Sequence, residues 1–350
     1  MSITSGSRDA EWNATGCVRI VPASIRTSRP SWSQRPMSWS STATWDGICG
    51  RPEIRQRESS LRFVHDEVSL PGSGISDWLD VQPNLNSDAG WIVLLKTGEL
   101  ASFTPRSGEV RVLWQIADPG FELDAETGLC LSPASDFAAT FQTSGRIGCV
   151  IDLRSGEVTT RLDRGECRPE NSHFPIAFFE ADGRSLLVSP TEWYRLDIID
   201  PASGSVLTER EADSFYSGDR SWRDYFHGQL VVSPDGRWIA DSGWIWSPWG
   251  MTRSWSLTDW LEQNPWESES RTSRKLIADR AYYWDGPLCW INNATAAWWG
   301  WGADDEWLVP ATCLVDVRSG ELLRWFPGPE VRRPRAWASK KLAPSLFFDR

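Results

Sequence analysis

The sequence predicts an all-β, repeat-built fold: a β-propeller with about five recognisable four-stranded blades between roughly residues 75 and 330. Three observations point to it. One turn recurs in SFTPRSGEV (102–110), VIDLRSGEV (150–158), IIDPASGSV (198–206) and LVDVRSGEL (314–322). A strand–turn–strand segment recurs upstream of it, in 129–141, 177–189 and 230–242, with a diverged copy at 288–301. Finally, apolar runs of five to seven residues dominate, and only SLTDWLEQN (256–264) has the period of a short surface helix.

The turn glycines, Gly108, Gly156, Gly204 and Gly320, are spaced 48, 48 and 116 residues apart. The last interval is close to twice the others, so one further unit lies inside it. Each turn joins two β-rich strands through a polar tetrapeptide with Gly where positive φ is wanted. The Asp-Gly pairs at 182–183 and 235–236 mark the other hairpins. For the second unit these signals predict strands at about 128–133, 136–142, 147–153 and 156–162. Asp152, Asp200 and Asp316 each stand four residues before a turn glycine, where a carboxylate caps the turn by accepting backbone N–H groups.

Ile151-Asp152, Ile199-Asp200 and Val315-Asp316 stand where a Trp-Asp pair would end a third strand. His173 and His227 stand where Gly-His would precede a first strand. In these features, over about 250 residues, the chain resembles the WD40 and YVTN-like family of bacterial propellers, with degenerate motifs. The resemblance implies the propeller fold and, by what such propellers commonly do, a binding rather than a catalytic role. RAWASKKLAPSLFFDR (335–350) reads as the opening of a further unit, and LRFVHDEVSL (61–70) could supply its outer strand. The two termini would then close a sixth blade and leave no open edge.

The propeller domain is accordingly placed at 61–350. Residues 1–60 differ: they hold eight Arg, no Lys and five acidic residues, with aperiodic Trp12, Trp32, Trp39 and Trp45. They are expected to be disordered, and a mis-assigned start would explain them. The net charge is −11, so subtracting about +3 for this segment leaves about −14 for the remainder. Such acidity speaks against nucleic-acid partners and against adhesion to anionic membranes. No apolar run has membrane-span length and the N-terminus has no signal-like core, so a cytoplasmic location is expected. Cys130 and Cys149, like Cys289 and Cys313, fall in first and third strands of their units, too far apart to bridge, and are expected as free thiols.

No nucleophile elbow, phosphate loop or zinc-spaced cluster appears, and no cofactor is expected. His173 and His227, at matching repeat positions, are expected to hydrogen-bond between blades, and His65 has no evident partner. Asp304, Asp305 and Glu306 form the densest acidic run and are the weak candidates for a Ca²⁺ site.

The outlier is tryptophan, with 24 copies concentrated between residues 238 and 307. Too many indoles for one interior imply packing between blades together with an exposed aromatic platform. The candidate ligand-binding residues are Trp244, Trp246, Trp298, Trp299, Trp301 and Trp307. The expected function is a non-enzymatic scaffold presenting an aromatic face to a protein or peptide. The alternatives are a carbohydrate-binding propeller using exposed Trp, and a hydrolase with funnel-facing carboxylates such as Asp304 or Asp305. If the termini close the ring, deleting residues 336–350 will lower the melting temperature sharply; an unchanged melt would exclude that closure.

Overall fold

The computed structural model describes residues 10–12, 18–20, 77–84, 90–104, 107–124, 126–211, 225–246, 249–269, 273–302 and 309–328. Two short strands, β1 (Ala10–Trp12) and β2 (Val18–Ile20), pair with each other. The proposed sixth blade lies outside the described residues, as does the rest of 1–60. Among the described residues no helix is long and apolar enough to cross a membrane.

Residues 78–327 build five antiparallel meanders. The first comprises β3 (Trp78–Asn84), β4 (Gly90–Leu95), β5 (Glu99–Thr104) and β6 (Glu109–Gln115). The second comprises β7 (Thr127–Leu131), β8 (Phe137–Gln142), β9 (Ile147–Asp152) and β10 (Val158–Asp163), close to the predicted boundaries. The third has β11 (Ala177–Ala181), β12 (Arg184–Glu192) and β13 (Arg195–Ile199). The fourth has β14 (Tyr225–Val232), β15 (Trp238–Ile245), β16 (Trp249–Ser256) and β17 (Lys275–Ala281). The fifth has β18 (Leu288–Trp290), β19 (Thr295–Trp301), β20 (Val309–Asp316) and β21 (Glu321–Pro327). First strands of successive sheets touch in order, β3 to β7, β11, β14 and β18, so the sheets are blades set side by side about one axis. This is the arrangement of β-propeller blades.

The core lies between blades. Ile92, Leu94 and Leu100 of blade 1 pack on Leu129, Ala138 and Ile151 of blade 2. Blades 3 and 4 enclose Leu186, Val188, Ile198, Trp255 and Trp260. The helix α1 (Leu257–Glu262) starts where expected, with Ser256 Oγ accepting the Asp259 N–H at 3.0 Å. It is not wholly a surface element, because Leu257 and Trp260 are buried in that interface.

The repeated turn works as its sequence predicts. Asp152 Oδ1 accepts the Arg154 N–H at 2.7 Å, Asp200 Oδ1 the Ala202 N–H at 2.8 Å, and Asp316 Oδ1 the Arg318 N–H at 2.9 Å. The turn also joins blades, which the sequence did not reveal. Gly156, at φ +78°, lies against the indole of Trp114 in the preceding blade; a Cβ there would come within 2.4 Å of the ring. The same indole donates from Nε1 to Leu153 O at 2.8 Å. The five described cysteines are free, as expected.

Among the described residues, blade 3 has three of the expected four strands. Beyond β13 the ladder shrinks to one bridge, Ile199 with Val206. Side chains replace the missing pairing: Thr208 Oγ1 accepts the Ile198 N–H at 3.0 Å, and Arg210 Nη2 donates to Leu196 O at 3.0 Å. Arg210 is buried between Asp197 of β13 and Glu269 beyond α1, forming an ion pair with each. Turning Thr208 and Arg210 inward to satisfy a buried carboxylate takes them out of strand geometry.

Two outcomes follow. Gly156→Ala combines left-handed strain with a clash on Trp114 and will cost about 2–3 kcal/mol, read as a melting-temperature drop of roughly 5–10 °C. Ser135 sits at φ 51° where the next such turn but one has Gly236 at φ 70°, and its buried hydroxyl has no hydrogen bond. Ser135→Gly will therefore stabilise the fold by about 0.5–1 kcal/mol in a denaturant titration.

Candidate binding face

Strand alternation assigns the connections to two ends of the blades. One end carries the repeated Asp-x-x-Ser-Gly turns. The other carries the connections between blades and the turns between second and third strands. Five aromatic residues beyond strand ends gather at the second end: Trp193 between β12 and β13, Trp246 between β15 and β16, and Tyr282, Tyr283 and Trp284 between β17 and β18.

A bulge in β14 organises this end. Phe226 pairs with Trp244 and Gln229 with Ser242, so His227 and Gly228 together oppose the single residue Gly243. Backbone groups released from the ladder find side-chain partners. The Gly228 N–H donates to Asp241 Oδ1 at 3.0 Å, and the Gln229 N–H donates to Asp285 Oδ1 at 2.7 Å. His227 O accepts from Ser172 Oγ at 3.0 Å. A Cβ on Gly228 would lie 2.3 Å from Ser242 O and 2.5 Å from Asp285 Oδ1, so only glycine fits. His227 is buried, with Nδ1 2.6 Å from Asp241 Oδ2 and Nε2 3.2 Å from Tyr194 O of blade 3. His173 packs edge-on to Phe141 at 5.7 Å, and its Nδ1 lies 2.9 Å from Phe174 O. Both histidines thus act in packing between blades, as their repeat positions suggested.

Two connecting loops are fastened over the bulge. Asp285 Oδ2 accepts the His173 N–H at 2.8 Å, which ties the β17–β18 loop to the β10–β11 loop. Trp284 Nε1 donates to Asn171 O at 2.5 Å across the same junction. The β10–β11 loop wraps around the buried Arg164 guanidinium, which donates to Gly145 O at 2.7 Å, Ser172 O at 3.0 Å and His173 O at 3.1 Å, and also to Pro169 O.

On this base stands an aromatic stack. Trp193 meets Phe226 at 5.0 Å; Phe226 stacks on Trp244 at 4.2 Å and 11°; Trp244 stacks on Trp284 at 5.2 Å. Trp246, 5.9 Å from Trp244, is 51% exposed, and Tyr282 is 62% exposed. Trp244 and Trp298, expected on an exposed platform, are interior. Trp244 fills the middle of the stack, and Trp298 packs in the blade 4–blade 5 core, because the inward strand face carries the larger apolar area out of water. Trp244 and Trp246 do share a strand face, but only Trp246, past the end of β15, emerges. Trp299 and Trp301 are half-buried, the latter edge-on to Trp325 at 5.3 Å. Trp307, His65, Asp304, Asp305 and Glu306 lie outside the described residues, among which no acidic or His/Cys cluster suits a metal. Trp193, Phe226 and the β10–β11 loop were missed by the sequence reading; the only local signal was Cys, Arg and Pro crowded into 164–169.

No protein-family model matches the chain, and no curated protein matches it. Among solved structures it is similar to U3-55K, at 14% identity and a TM-score of 0.46 over 75% of this chain and 69% of that one. It is also similar to the RRP9 WD40 repeats, at 13% identity and a TM-score of 0.44 over 74% of this chain and 65% of that one. Identities this low do not bear on function.

Although Asp285 is partly exposed as a residue, its carboxyl is enclosed. Burial pushes its pKa up, against the lowering effects of His173 and its two N–H donors. A raised folded pKa means stability that is full below the ordinary Asp value and is lost as pH rises through the raised one. The melting temperature should therefore fall more steeply in the wild type than in Asp285→Ala as pH rises above the ordinary Asp range. That variant will also cost about 2–4 kcal/mol by orphaning two N–H groups. Parallel pH profiles would show that Asp285 does not titrate in this way.

Proposed function

We propose that the chain is a non-enzymatic scaffold that binds a protein or peptide partner through the aromatic end of the propeller. The observation carrying this reading is the pairing of exposure with rigidity. Trp246 and Tyr282 stand out from the surface, while the loops beneath them are fixed by Asp285, Trp284 and Arg164. Large aromatic side chains held in place before binding lose little conformational freedom on contact, which is the character of interface hot spots. The hollow beside the stack encloses about 10 Å³, room for about one water molecule and far below the roughly 300–1,000 Å³ of a small-molecule site. A partner would therefore be met by the exposed aromatics around the hollow, with no side chain buried in it.

The test is capture from lysate of the source organism by the full chain, beside a Trp246→Ala/Tyr282→Ala variant with an unchanged circular dichroism spectrum. A near-stoichiometric protein held by the wild type and reduced at least about tenfold in the variant supports the reading. Equal capture by both would move the interface elsewhere.

A further inference from the structure

Resting on that reading, one feature of the aromatic end bears on the partner's chemistry. The pocket is bordered by Arg164, Arg168, Pro169, Trp193, Phe226 and His227, and no described residue lining it carries a carboxylate. That is notable in a chain of net charge −11. Arg164 is 5% exposed. Its contacts carry no formal charge: four backbone carbonyls, the Ser172 hydroxyl at 3.5 Å and the face of the Phe174 ring at 5.4 Å. No carboxylate touches this cation, although Asp285 and Glu170 act on it from a distance. Burial correspondingly pushes its pKa down to about 10. A buried charge with no contact anion extends its field to the pocket mouth, only partly offset by Asp285 and Glu170.

A second cation stands at the rim. Arg168 is exposed and lies 5.9 Å over the ring of Trp246. Its nearest carboxylate is Glu170 at 3.9 Å, with both side chains more than half exposed, so the pair is weak and open to exchange. Glu166 is taken up by Arg146 at 2.6 Å. The same rim offers the apolar faces of Trp193 and Trp246, which an aliphatic side chain can cover.

We propose that the rim of this hollow takes an acidic peptide segment of a protein partner, with an Asp or Glu carboxylate bound to Arg168 at the mouth and an adjacent apolar residue lying on Trp193 and Trp246. Arg168 supplies the direct charge-assisted hydrogen bonds. Arg164, whose N–H groups are already engaged, contributes through its field.

The experiment uses the full chain and four fluorescein-labelled probes read by anisotropy. These are twelve-residue peptides alternating Glu with Leu, Gln with Leu, or Lys with Leu, and a twelve-residue oligothymidylate. The Glu–Leu peptide should bind at least about tenfold tighter than the Gln–Leu peptide, and more weakly as salt is raised. Arg168→Glu should weaken it at least about tenfold and Arg168→Lys by only a few-fold, with melting temperatures unchanged because the side chain is exposed. Equal binding of the Glu–Leu and Gln–Leu peptides, both lost in Trp246→Ala, would overturn the acidic assignment and leave the scaffold reading standing. No binding of the Glu–Leu peptide at millimolar concentration would overturn it as well. Oligothymidylate bound as tightly, and equally sensitive to Arg168→Glu, would show a general polyanion site instead of a peptide site. The scaffold reading fails separately, if capture of a partner is indifferent to Trp246 and Tyr282.

Discussion

The aromatic end depends on how one strand irregularity is satisfied. The extra residue in β14 frees the N–H groups of Gly228 and Gln229 from their ladder, and a buried donor left alone costs about 1–3 kcal/mol. Asp241 and Asp285 accept them, and Asp285 spends its second oxygen on the His173 N–H. A single carboxylate therefore links three elements: β14, the β10–β11 loop and the β17–β18 loop. That shared acceptor fixes the loop that sets Trp284 against Trp244, beside which Trp246 stands under Arg168. Without it, these aromatics would ride on independent loops.

Charge is buried twice in this molecule, and the two solutions differ. In blade 3, Arg210 is fully paired with Asp197 and Glu269, and the ion pairs stand in for a missing outer strand. Replacing one partner there would strand the others in a dry interface, which is strongly destabilising. In the β10–β11 loop, Arg164 is satisfied as a donor but has no anion in contact, because its partners are carbonyls, a hydroxyl and the Phe174 ring. The first arrangement is closed; the second leaves an electrostatic demand at a pocket open to solvent.

The blades themselves are joined by a simpler device. The repeated turn, capped by its own Asp, presents a glycine to the outer strand of the blade before it. Gly156 meets Trp114, Gly204 meets Thr160, and Gly320 meets Leu276 O. One short sequence thus closes a hairpin and sets the spacing between neighbouring blades.

Local chemistry made the blades legible from the residues alone: strand period, Asp-capped turns and Asp-Gly hairpins act over distances of a few residues, and the second-blade strands came out within about two residues of their predicted ends. The free thiols and the interior roles of His173 and His227 were legible for the same reason, since both follow from position within a repeat. The short third blade was not, because Thr208 and Arg210 leave the strand only in answer to Asp197 and Glu269, the latter 59 residues from Arg210. The sequence also marked a tryptophan-rich face but could not separate Trp244 from Trp246, which share one strand face and differ in that Trp244 is stacked between Phe226 and Trp284 while Trp246 meets Phe226 only at a tilt. The pocket was beyond its reach altogether, being assembled from residues 164–175, Trp193 and Phe226–His227. Repeats and turns are set by neighbours along the chain; burial, and with it the site, is set by neighbours across the blades.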